Sequence, residues 1–108
     1  MDIFSALAEP TRRNIVELLA TSGQMSVSDI CDKFPISHPA ISQHLKVLRD
    51  TDVVSVEKRA QQRLYAINPL AVDELEVWIT NIRKQWSDRL DRLDTLLQKE
   101  KHKQHLHK

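Results

Sequence analysis

The sequence predicts a mostly α-helical domain with one small β-hairpin and a long final helix. Three observations carry that expectation. Apolar residues recur at helical spacing in four segments before residue 50. The period then changes to alternation within residues 54–67, and from Leu75 to Leu97 it returns to intervals of 3 and 4. With 108 residues the chain has room for a single core. One domain is expected over residues 1–99. A basic, histidine-rich tail, 100–108, lacks an apolar period and is expected to fray.

The first helix starts after Asp2, a good cap, and runs through Ala8 with Ile3, Phe4 and Leu7 on one side. Pro10 suits the first turn of a second helix, where a missing N–H has no partner to lose. Ile15, Leu18 and Leu19 form its stripe, and Gly23 stops it. Ser26 opens a third helix, with Asp29 three residues on in a near capping box. Val27, Ile30, Cys31 and Phe34 are its apolar positions, and Pro35 ends it.

Ser37 caps the fourth helix, which runs to Asp50 with Pro39 in its first turn. Ile41, Leu45 and Leu48 turn toward a core. The opposite side presents His38, Ser42, Gln43, Lys46 and Arg49, all hydrogen-bonding or cationic. A second helix that follows a short turn and exposes a polar N-terminal half has the form of a recognition helix. Val54 and Val56, then Leu64 to Ile67, read as two strands. The polar segment between them contains Lys58, Arg59, Gln61, Gln62 and Arg63, and its turn type is left open by the absence of Asn-Gly or Asp-Gly. Helix-turn-helix followed by a cationic hairpin is the winged-helix arrangement: the helix enters a major groove while the wing reaches flanking phosphates.

Asn68 caps the last helix and Pro69 opens it. Leu75, Ile79, Ile82, Trp86, Leu90, Leu93 and Leu97 recur at intervals of 4, 3, 4, 4, 3 and 4, and Trp78 broadens the stripe. A small helical core cannot cover so long a seam, which marks it as an interface. The expected dimer surface is Leu75, Trp78, Ile79, Ile82, Trp86, Leu90 and Leu93, aided by Ile3, Phe4 and Leu7.

Charge is unevenly placed. The formal net charge is +1, but residues 37–68 are net +2, 69–82 net −3 and 83–108 net +4. A nearly neutral chain can therefore present a cationic face to a polyanion. A single glycine excludes a glycine-rich phosphate loop, and a single cysteine excludes a disulfide framework or a multi-thiolate metal site within one chain. No run approaches the length of a membrane span, and the opening MDIFSALAEP lacks the basic and apolar regions of a secretory signal. His44 lies beside Leu45 and reads as a hydrogen-bonded, semi-buried histidine. No Ser-His-acid set or carboxylate pair emerges, so no enzymatic activity is expected.

The segments Leu7 to Leu19, beginning LAEPTRRNI, and Ser37 to Arg49, containing ISQHLKVLR, together resemble the ArsR-type winged-helix regulators over roughly residues 4–90. That resemblance implies a cytoplasmic homodimer that binds double-stranded operator DNA and represses transcription. It also implies a dimer interface on the first and last helices and base contacts from His38, Pro39, Ser42 and Gln43. Added to these as DNA-contacting candidates are Ser37 and Lys46 on the helix and Lys58, Arg59, Gln61, Gln62 and Arg63 on the wing. The sequence departs from the family at Asp52-Val53, where Gly-Leu is usual, and at Ala60-Gln61, where the wing commonly has glycine.

Many relatives of that type sense metals. The cysteine cluster such a sensor needs is replaced here by Ser26, Ser28 and a lone Cys31, and residues 69–101 hold no histidine. No cofactor or designed metal site is therefore expected, and Cys31 reads as a small hydrophobe. Two alternatives stay open: a winged-helix protein-interaction module without DNA binding, or a metal-responsive repressor using His102, His105 and His107. The repressor reading leaves room for an unidentified protein or small-molecule regulator.

Overall fold

The computed structural model describes residues 1–106, with side chains through residue 101. Its elements are α1 (Ile3–Ala6), α2 (Pro10–Ser22), β1 (Met25–Ser26), α3 (Val27–Cys31), α4 (His38–Asp50), β2 (Val54–Arg59), β3 (Gln62–Ile67) and α5 (Pro69–Leu106). The chain divides into two units, Met1–Asp73 and Glu74–Lys108, the second helical through Leu106. The helical class, the five helices and the hairpin follow the sequence expectation. The strand β1 does not: two residues are too few to show alternation.

Side-chain caps define the helix starts. Asp2 Oδ1 accepts the Ser5 amide at 2.8 Å, Ser26 Oγ the Asp29 amide at 3.2 Å, and Ser37 Oγ the Ala40 amide at 3.3 Å. α2 is capped by Glu9, whose Oε2 accepts the Arg12 amide at 2.8 Å. α3 stops at Cys31, short of Pro35, because the chain tightens: the Lys33 and Phe34 amides bond to the carbonyls three residues back, of Ile30 and Cys31. α1 is likewise shorter than expected. Its buried side is Ile3 and Ala6, whereas Phe4 is exposed and Leu7 half-buried.

The core of the first unit gathers Ile15 and Leu19 from α2, Ile30 from α3, and Ile41, Leu45 and Leu48 from α4. Val53, just before β2, and Val54 and Tyr65 from the sheet close it. The sheet is antiparallel in the order β1-β3-β2, with Met25 opposite Tyr65 and Val54 opposite Ile67. This packing holds α4 by one stripe and leaves its other side to solvent.

Both departures from the family pattern fall at left-handed backbone. Asp52 has φ 60° and follows α4, where the Asp52 and Val53 amides bond back to the Arg49 and Leu48 carbonyls in a Schellman ending. Ala60 has φ 54° in the two-residue turn that pairs Arg59 with Gln62. Positive φ at the first turn position alone is the type II′ pattern, which normally takes glycine there. A left-handed non-glycine residue costs about 1–2 kcal/mol, partly offset by the greater unfolded-state freedom of glycine. Ala60→Gly should therefore stabilise the protein by about 0.5–1 kcal/mol, raising Tm by a few degrees in a calorimetric scan.

At the start of α5, Asn68 Oδ1 accepts the Leu70 amide at 3.1 Å, and its Nδ2 donates to the Asp52 carbonyl at 2.9 Å. One side chain thus caps the first turn of α5 and bonds the backbone just past α4, both within the first unit. α5 is assigned through Leu106, beyond Lys99, because residues 100–106 contain no glycine or proline to break it. Among the described residues, no helix is long and apolar enough to cross a membrane.

Candidate nucleic-acid interface

α4 places its polar residues by helical geometry alone. Between His38 and Asp50 the exposed positions are His38, Pro39, Ser42, Gln43, Lys46, Arg49 and Asp50. A groove of about 310 Å³ lies between this helix and the sheet, lined by His38, Ser42, Lys46 and Arg49 on α4 and by Arg63 and Tyr65 on β3. Pro39 and Gln43 stand outside that lining. A second hollow of about 270 Å³ joins Ser26, Val27 and Ser28 to Gln61, Gln62 and Arg63. Arg63 lines both, so it is the wing cation that the fold brings against the recognition helix.

The wing cations are not equivalent. Arg59 Nε donates to Glu57 Oε1 at 3.2 Å, and Glu57 also accepts from Gln24 Nε2 at 2.9 Å. The Gln24 amide, then the Arg59 charge, hold the Glu57 carboxyl below its ordinary range. Phosphate must compete with Glu57 for Arg59. Lys58 is exposed on the same strand, and Ser37 is exposed with its hydroxyl committed to the cap. Arg49 adds to the candidates named from sequence. Its spacing of three from Lys46 and seven from Ser42 signals the same face. Tyr65 and the α3 start could not be found that way, because only the tertiary fold brings them near α4.

α4 is also held from behind. Arg12 Nε donates to the Ala6 carbonyl at 2.7 Å, and its Nη1 reaches His44 Nδ1 at 3.4 Å. A guanidinium has only donors, so in this contact the Arg12 N–H donates and His44 Nδ1 accepts. Glu9 Oε2 lies 3.8 Å from the same nitrogen. The Arg12 backbone N–H, more than any charge, holds the Glu9 carboxyl below the usual range. The set links the end of α1, the start of α2 and the middle of α4, and gives His44 the hydrogen-bonded, half-buried role read from sequence. Arg12→Ala should cost about 1–3 kcal/mol, because a part-buried carbonyl and imidazole lose their donor. Urea unfolding should show a lower midpoint at unchanged m, and Arg12→Lys should recover little of it, lacking the planar fork.

The metal chemistry of related sensors does not fit these residues. Among the described residues, no group of three or more His, Cys, Asp or Glu could hold an ion. Ser26 is buried with its hydroxyl on the Asp29 amide. Burial first, then the Asp32 charge, push the Cys31 thiol up, away from the thiolate a soft metal needs. The histidine-tail alternative rests on side chains outside the described residues.

A helix-turn-helix whose exposed polar helix shares a cationic groove with a β-hairpin defines a winged-helix DNA-binding domain. The sequence profile of the bacterial regulatory protein, arsR family, matches residues 9–56, from the cap of α2 into β2. The transcriptional repressor SdpR of Bacillus subtilis (strain 168) is 36% identical over 80 residues, 74% of this chain and 88% of that protein. The HTH-type transcriptional regulator Rv2034 of Mycobacterium tuberculosis H37Rv is 37% identical over 87 residues, 81% of this chain and 78% of the other. A crystal structure described as "Possible transcriptional regulator for arsenical resistance" superimposes with a TM-score of 0.69 at 40% identity, covering 86% of this chain and 93% of that one. The chain belongs to the ArsR family of winged-helix transcriptional regulators, and so to a family of regulators rather than enzymes.

Proposed function

We propose that this regulator represses transcription as a cytoplasmic homodimer on a roughly palindromic operator, without a metal cofactor. The observation that carries this reading is the groove in which His38, Ser42, Lys46 and Arg49 of α4 meet Arg63 of the wing. Ser42 and Gln43 meet base edges, while Lys46, Arg49 and Arg63 meet phosphates on either side. Two copies are needed because one helix and one wing cover only a half-site. The exposed positions of α4 offer no aromatic anchor of the kind a protein-binding face would carry, which argues against the interaction-module reading.

Titration of the protein against duplex DNA from upstream of its own coding sequence, and against a shuffled duplex of equal length, tests this. The native duplex should bind at least about 1000-fold tighter, and log K should fall with log salt by about 0.9 for each phosphate contacted. Equal affinity for both duplexes would overturn the reading.

Operator affinity should also be insensitive to zinc, cadmium and arsenite, since one raised-pKa thiol cannot hold them. The same titration with each ion, on protein ending at Lys99 to remove tail chelation, checks this. A tenfold release by any of them would reveal a sensor site.

A further inference from the structure

The two faces of the wing differ in what they can offer to DNA. Side chains alternate along β2, so Val54, Val56 and Lys58 share one face and Ser55, Glu57 and Arg59 the other. The register sets Val56 opposite Tyr65 and Lys58 opposite Arg63. Tyr65 and Arg63 line the groove with α4, so this is the face turned toward the recognition helix. Glu57 lies opposite Leu64 and Arg59 opposite Gln62, on the reverse face.

On that reverse face one carboxylate gathers two partners. Gln24 immediately precedes β1, and β3 lies between β1 and β2. The Gln24 amide reaches across β3, where Nε2 donates to Glu57 Oε2 at 2.9 Å, and Glu57 Oε1 accepts from Arg59 Nε at 3.2 Å. Gln24 thus fixes the carboxylate from another segment, and the carboxylate holds the guanidinium two residues on. Arg59 and Glu57 are 66% and 54% exposed, so their ion pair is weak. It can be exchanged for a phosphate, but the pair must break first. Lys58 and Arg63, on the face toward α4, stand apart from this network.

Building on the DNA-binding reading above, we infer that Glu57 is a positioning residue that holds Arg59 back from DNA and so limits the wing's sequence-independent affinity. Lys58 and Arg63 are then the wing's resident phosphate contacts, and Arg59 is a cation kept in reserve. A phosphate contact carries no base information, so releasing Arg59 tightens every sequence alike.

Salt-dependent titration of the full chain tests this, with duplex DNA from upstream of its coding sequence and with a shuffled duplex. Glu57→Gln keeps the side chain's size and removes its charge. It should tighten both duplexes by about 2- to 5-fold for each wing engaged, with the ratio between them unchanged. The slope of log K against log salt should steepen by about 0.9 for each phosphate gained. That change in slope separates release of a cation from a merely structural effect, and circular dichroism confirms that the fold is kept. The gain should need Arg59: in an Arg59→Ala background, adding Glu57→Gln should change neither affinity nor slope. An unchanged slope in Glu57→Gln, or the same gain with and without Arg59, would overturn the inference, the latter showing only relief of repulsion between Glu57 and DNA. Equal binding of the two duplexes by the wild type would overturn the operator reading instead.

Discussion

Replacing both Trp86 and Leu90 with glutamate should give a monomer at micromolar concentration, with at least a 100-fold loss of operator affinity. Burying a side chain of this size stabilises by roughly 1.5–3 kcal/mol, and symmetry makes each replacement count twice. The four lost side chains are together worth roughly 6–12 kcal/mol as an upper bound. A micromolar dimer is held by only about 8 kcal/mol. The glutamates add repulsion, since they would put like charges into the same apolar seam. The first unit keeps its core, because Ile15, Ile30, Ile41, Leu45 and Leu48 all lie within it. The expected result is therefore a folded winged domain, with helical circular dichroism retained, that binds DNA weakly and without preference. Sedimentation velocity beside a DNA titration checks both halves.

Gln43→Ala and Arg63→Ala should weaken binding in different ways. Gln43 is exposed on α4 outside the cationic groove, where an amide can meet a base edge with donor and acceptor together. Its loss should cost about 1–3 kcal/mol on the operator, little on random DNA, and relax preference at one base pair. Arg63 lines both hollows at the foot of the wing. Its loss should weaken all sequences alike and reduce the salt slope by about 1. Arg59→Ala should do less, because its guanidinium already pairs with Glu57. Equal losses on operator and random DNA for Gln43→Ala would remove it from base recognition.

The legible parts of this protein were those set by local chemistry. Ser26, Ser37 and Asn68 cap the helices the sequence assigns to them, and Ile41, Leu45 and Leu48 form the buried stripe their spacing requires. The α5 seam was legible for the same reason, since a helical stripe of that length needs no tertiary knowledge. What could not be read depended on contacts across elements. Ile3 shares a helical side with Leu7, yet it sits in the core of the first unit at 4% exposure, so of the first-helix residues assigned to the dimer surface it is Phe4 that is exposed. β1 exists only because Met25 and Ser26 lie beside Tyr65 and Leu64. The unequal standing of Arg59 and Arg63 follows from where Glu57 and α4 lie, and the string Glu57-Lys58-Arg59 does not rank them. The turn at Ala60-Gln61 carries no glycine, and the left-handed backbone there is set by the pairing of β2 with β3 rather than by the turn residues.

The central claim is that two copies present two recognition helices to one face of DNA. Protection footprinting of the full-length protein on DNA upstream of its coding sequence tests it most directly. The account predicts two protected half-sites, inverted in sequence, with centres one or two helical turns apart (multiples of about 10–11 base pairs). A single protected half-site, or uniform protection that moves with concentration and shows no preferred position, would contradict it.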